Sequence, residues 1–287
     1  MSSTTPEQIL ARAGKSFHLA GKFLPPERRA AATQLYAFCR GLDDLADETG
    51  DAAQIETVAT ALENRDSSHP LAALYLGLGH SDTAPAIALA RALRDDTGPT
   101  VIADERALLR YCHGVAGAVG LMMARVLGAE DPAAAWHAVD LGIALQLTNI
   151  ARDTRDDADH GRRYIPATWL DLPPASIRNA PDAAHQAALR CLAFAEPFYN
   201  SGLAGLVYLP PESRRGILIA ATVYREIGEE LRRQGPHRKK DRVTVPAWRK
   251  AALIARAYLS PPRWTFPVPP HNIELHRHLE GLVGVHP

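Results

Sequence analysis

The stretch Ile143-Ala144-Leu145-Gln146-Leu147-Thr148-Asn149-Ile150-Ala151-Arg152-Asp153-Thr154-Arg155-Asp156-Asp157 decides the fold. Its apolar residues recur every three or four positions, the helical period, with no alternation of β-branched residues. The helix then runs straight into acid. Asp153 and Asp157 are spaced i and i+4, which puts both carboxylates on one helix face about 6 Å apart. Gln146 and Asn149 precede Asp153 on that face, so a polar stripe in need of partners runs along an apolar helix.

A second segment repeats the pattern. Leu35, Tyr36, Ala37, Phe38 and Leu42 lead into Asp43-Asp44-Leu45-Ala46-Asp47, again with carboxylates at i and i+4. Like charges at that spacing cost a helix roughly 0.2–0.5 kcal/mol per pair, and Asp is a poor mid-helix residue. A single pair is usually a solvated face. Two pairs, each ending an apolar helix, predict hard oxygen donors at a cavity mouth, a set suited to Mg2+, with Mn2+ as a substitute. Arg40 shares the face of Asp43 and Asp47, where an ion pair and a phosphate contact fit its spacing equally well.

Working outward, nearly the whole chain keeps the helical period, so the class is all-α. Helices are expected over 6–21, 27–48, 51–64, 69–77, 84–95, 103–127, 131–157, 182–205 and 211–234. Pro25-Pro26 and Asp131-Pro132 mark two of the starts. Residues 161–174, with Pro166, Pro173 and Pro174, read as a loop over the surface. One helical domain over 1–259 is expected, followed by a Pro-rich tail over 260–287 that reads as an extended arm or a partly ordered end. Gly114, Gly117 and Gly120 fall in one helix, where each costs about 1 kcal/mol relative to Ala. Close helix packing is one explanation, and a helix that breaks so a chain can pass beside it is the other.

The 32 basic and 32 acidic residues cancel, which argues against a nucleic-acid binder that relies on a broad positive surface. Cys39, Cys112 and Cys191 have no paired spacing and read as reduced packing residues in a cytoplasmic protein. No signal peptide and no run of roughly 20 apolar residues is seen, so a greasy substrate would be met from the membrane surface. The basic run His237, Arg238, Lys239, Lys240 and Arg242 suits a solvated face, a diphosphate or anionic lipid.

Five segments resemble the squalene/phytoene synthase family: Lys15-Ser16-Phe17, Leu35 to Arg40 with the aspartates after it, Tyr111 to Gly120, Gln146 to Asp153, and Gly161 to Pro166. The resemblance implies a class I isoprenoid synthase-type helical bundle around a central apolar cavity. It also implies prenyl diphosphate substrates condensed head to head. By the same resemblance Asp43, Asp47, Asp153 and Asp157, with Asn149, would hold the metal. Ser16, Arg40, Gln146, Asn149 and Arg152 would bind diphosphate, and Arg242 would reach it. Tyr36, Tyr111 and Tyr224 would be polar wall positions near the cations, and Phe17, Val115, Val119 and Leu147 would line the prenyl channels, with Gly120 beside them.

Val119 to Met123 and Asp140 to Ala144 look most like the bacterial phytoene synthases, which use the C20 substrate without NADPH. Gly21, four residues after Phe17, and Thr33, three before Tyr36, add no bulk to the cavity face, which fits that length. The C15-specific presqualene diphosphate, dehydrosqualene and squalene synthases are the alternative. A catalytically silent assembly factor of the same fold would have lost the aspartates. Chain-elongating prenyltransferases lack the Tyr-Ala-Phe-Cys-Arg frame.

Overall fold

The structure, a computed structural model, describes residues 21–238, 242–259, 268 and 270–286. Ser16, Phe17, Lys239, Lys240 and all but the last residue of the helix expected over 6–21 lie outside the described residues. Prolines at the first turn start many of the helices, because their missing N–H has no partner there anyway. The order is α1 (Pro26–Asp44), α2 (Ala52–Glu63), α3 (Pro70–Leu76), α4 (Ala84–Asp95), α5 (Glu105–Cys112), α6 (Ala118–Val126), α7 (Ala134–Asp159), α8 (Pro174–Ile177), α9 (Pro181–Ala204), α10 (Pro211–Gln234) and α11 (Ala247–Leu259). Two wider π turns interrupt the pattern. Leu45–Thr49 continues α1, and His113–Gly117 joins α5 to α6. Sequence periodicity did not register α8 or α11.

Helix α7 is the axis of the bundle. On one side Leu147, Ile150 and Ala151 pack with Ala188, Cys191 and Ala195 of α9 in the largest core. There the Cys191 thiol donates to the Leu147 carbonyl at 3.3 Å, and the Thr148 and Tyr199 hydroxyls bond at 2.9 Å. On the other side α6 crosses so closely that a methyl added at Gly120 would strike the Ala138 carbonyl, and one at Gly142 would strike that of Ala116. Close packing holds for Gly114 and Gly120, whose added Cβ would strike Ala92 and Ala138, and the helix widens into a π turn at 113–117. A second core joins α1, α2, α3, α4 and α6 around Phe38, Leu42, Tyr75 and Met122.

Two expectations need correction. Residues 161–174 are irregular but lie only partly over the surface: Gly161, Thr168 and Asp171 are exposed, whereas Arg163, Tyr164 and Ile165 are buried. Their backbone is satisfied inside, with Arg163 N–H donating to the Thr100 carbonyl at 2.7 Å, which is how a buried loop avoids unpaired amides. The tail is not a free arm over its described part. Residues 273–276 form a 3-10 turn, and Leu279 joins the main core. By length and composition Glu105–Val126 passes for a membrane span, with an 18-residue window of mean hydropathy 1.3, but half of that window is buried within the bundle and Arg106, Arg110 and Arg125 break the helix's apolar run.

Candidate active site

A cavity of about 340 Å3 runs between α1, α6, α7 and α10. Val115, Val119, Gly120, Met123, Leu141 and Leu145 give it apolar walls, and Gly21 and Thr33 also line it. At its polar end Tyr36, Asp43, Gln146, Asn149 and Tyr224 come together, as the two sequence patterns require. Ile150, Ala151 and Ala144 face the core instead, so the stripe on α7 is turned inward by the apolar residues beside it.

The two acidic clusters meet through the loop after α7. Arg162 donates to Asp47 at 3.3 Å, so a residue five positions beyond Asp157 reaches the first cluster. Arg152, about 8% exposed, is fixed on Asp153 with its Nε 2.7 Å from Oδ1, and Arg242 stands 3.9 Å from the same carboxylate. Arg40 pairs with Asp44. Burial, opposed by Arg40 and reinforced by Asp47 and Asp44, pushes the Asp43 carboxyl up to about 7. Burial with Asp153 and Asp156 beside it does the same to Asp157, also up to about 7. Each cluster therefore holds a carboxyl that its surroundings leave short of positive charge. The Asn149 side-chain oxygen is buried there without a partner. Crowded carboxylates and an orphaned amide oxygen form a hard-oxygen donor set that fits a divalent cation.

Two assigned residues fall elsewhere. Leu147 is fully buried toward α9 and does not line the cavity, because one residue along a helix is a rotation of about 100° from Gln146. Tyr111 is also absent from the wall. Its ring stacks on Tyr164 at 4.8 Å and its hydroxyl donates to Asp96 at 2.9 Å. Asp96 is the residue that sequence reasoning passed over. It also accepts from Tyr164 at 2.8 Å and from Thr100 at 2.6 Å, so one buried carboxylate anchors the loop that carries Arg162. In the sequence it looks like an ordinary acid at a helix end.

Residues 10–249 match the squalene/phytoene synthase family model. The chain belongs to that family. It is 36% identical to a phytoene synthase of Pseudescherichia vulneris over 87% of this chain and 89% of the relative. It is 35% identical to a 15-cis-phytoene synthase of a Paracoccus species over 87% and 88%. Among solved structures, a dehydrosqualene synthase in complex with ligand superposes with a TM-score of 0.76 at 26% identity, covering 88% of this chain and 94% of that one.

Proposed function

We propose that the protein is a prenyltransferase that condenses two geranylgeranyl diphosphates head to head, through the cyclopropyl prephytoene diphosphate, to phytoene in carotenoid biosynthesis. The observation that carries this reading is an apolar cavity whose polar end holds Asp43 of the first cluster and the Gln146 and Asn149 that lead into the second, sharing walls with Val115 and Val119. Relatives named phytoene synthase support the C20 substrate.

Asp43, Asp47, Asp153, Asp157 and the Asn149 oxygen would hold Mg2+. When bound, the metal would neutralise the leaving diphosphate's charge. The chain's own residues do the rest. Arg152 is pinned by Asp153 with guanidinium N–H groups left over for a phosphate, and Arg162 and Arg242 add positive charge beside the aspartates. Apolar walls exclude the water that would capture the allylic cation, which adds to the double bond of the second molecule. Burial raises both Tyr36 and Tyr224 above the usual phenol range, so each stays protonated and offers the cation a ring face and a neutral oxygen rather than a phenolate.

Contact with a membrane surface belongs to the same reading. Trp248, Tyr258 and Leu259 are exposed on α11, among Arg249, Lys250 and Arg256, the composition of a helix that rests on anionic lipid. The test of function is direct. Purified protein with Mg2+ and geranylgeranyl diphosphate is expected to yield phytoene. A C30 hydrocarbon from farnesyl diphosphate alone would replace this reading with the C15 alternative, and no product from either would remove the enzyme.

A further inference from the structure

A second polar cluster lies on α7, roughly 20–24 Å along the helix from Asp153 at 1.5 Å per residue. Asp140 is completely buried. It accepts from His271 Nε2 at 2.7 Å, from His276 Nε2 at 3.0 Å and from the Ser201 hydroxyl. His137, one turn earlier, contacts the Ser201 carbonyl and hydroxyl through Nδ1, each at 2.9 Å, and its ring meets that of His271 edge-on at 5.1 Å. One donor atom each from His137, Asp140 and His271 lies within 4.8 Å of the others. Hydrogen bonding does not complete this cluster. The His271 side chain is only 1% exposed, yet its Nδ1 is buried with no partner. The Nδ1 edge of the ring points away from Asp140, so the nitrogen that can share a cation with the carboxylate is Nε2, 2.7 Å from it, and no partner of Nδ1 fixes the Nε2 proton in its place.

We propose that His137, Asp140 and His271 bind one divalent transition-metal ion of the Zn2+ type, which staples the C-terminal segment to α7. Two imidazoles and a carboxylate are a donor set for Zn2+, whereas the oxygen-only clusters at the cavity mouth suit Mg2+, so the two sites are separated by ligand softness. His137 Nδ1 lies 2.9 Å from the Ser201 carbonyl, which calls for the proton on that nitrogen and leaves Nε2 as the lone-pair donor. His276 serves as the orienting partner: its Nε2 bonds Asp140 while its Nδ1 accepts the His286 N–H at 3.2 Å. The staple joins points 131 residues apart in the chain.

The test uses the full chain, stripped with a chelator and dialysed against Zn2+ with Mg2+ in excess to occupy the oxygen donors. One equivalent of Zn2+ is expected to remain bound and to raise Tm. His271→Ala is expected to weaken retention at least roughly tenfold, and Asp153→Asn to leave it in place. Co2+ in the wild-type protein provides a reading that survives a misfolded variant. Intense visible bands from low-coordinate, imidazole-ligated cobalt are expected, and the weak bands of six-coordinate oxygen ligation would overturn the proposal. So would equal Zn2+ retention by His271→Ala, or its loss in Asp153→Asn. Wild-type protein that retains no Zn2+ would reduce the cluster to a hydrogen-bond network.

Discussion

Replacing Gly21 with phenylalanine is expected to reverse the chain-length preference. Gly21 lines the cavity, and among the described residues a Cβ built on it meets nothing nearer than the Arg29 Cγ at 4.0 Å, so on that side a side chain has room to enter. Its φ is not in the left-handed region, so the backbone does not require glycine. A benzyl group is larger than the terminal five-carbon unit that distinguishes a C20 from a C15 substrate. Burying that unit is worth about 4 kcal/mol at ~0.8 kcal/mol per methylene-sized group. At about 1.4 kcal/mol per factor of ten, the ratio of kcat/KM for geranylgeranyl over farnesyl diphosphate should fall by up to roughly three orders of magnitude. Thr33→Trp should act in the same direction, at a cost in stability, because Thr33 is 4% exposed and donates to the Arg29 carbonyl at 2.8 Å. The assay is the ratio measured in parent and variant, with circular dichroism confirming equal helicity. A parent that already prefers the C15 substrate, or a ratio unmoved by a folded Gly21→Phe, refutes the argument.

Asp43→Asn and Asp157→Asn should each lower turnover by several orders of magnitude with the helices intact; near-normal activity at saturating Mg2+ would take that residue out of the metal set. Arg152→Lys should lower kcat/KM roughly tenfold to hundredfold, the worth of a charge-assisted bond, because one ammonium cannot hold Asp153 and a phosphate together; equal kinetics would show that charge alone matters. Asp96→Asn should cost about 1–3 kcal/mol in urea unfolding and expose the loop to trypsin at Arg162 and Arg163; unchanged protection would mean that Tyr111 and Tyr164 do not depend on it. Asp43 and Asp157 titrate higher folded than unfolded, so their contribution to stability is full below about pH 4 and is lost as pH rises through about 7. The Tm of metal-free protein should therefore fall across that window and recover with Mg2+, and a flat profile would contradict the shifts.

What the sequence made legible was whatever depends on local spacing. Gln146 and Asn149 on α7, and Tyr36, Cys39 and Asp43 on α1, fall on the cavity wall because a helix repeats every 3.6 residues, whereas Asp47, Asp153 and Asp157 stand outside that lining. Leu147 was assigned by the family resemblance, which carries a position but not which of two apolar surroundings receives it. Here α9 claims it. Tyr111, Asp96 and Tyr164 form one unit from three separate segments, and no local pattern encodes such a contact. The described tail residues illustrate the same limit: prolines before them argue against helix, while Leu279 and His276 find partners on α5 to α9 that only the folded chain supplies.

The π turn at His113–Gly117 makes this part of the chain sensitive to length in an unusual way. A π turn holds one residue more than the α-helix around it, so it behaves as an insertion stored in the middle of a continuous rod. Deleting a single residue there should let the rod rewind as plain α-helix rather than break it. The flanking helices would then keep their phase, because the residue removed is the one the wider turn had stored, so Val119 stays on the cavity wall and Gly120 stays against Ala138. A residue deleted from α6 itself has no such reserve: it would turn everything beyond by about 100° and drive a side chain into the slot against α7.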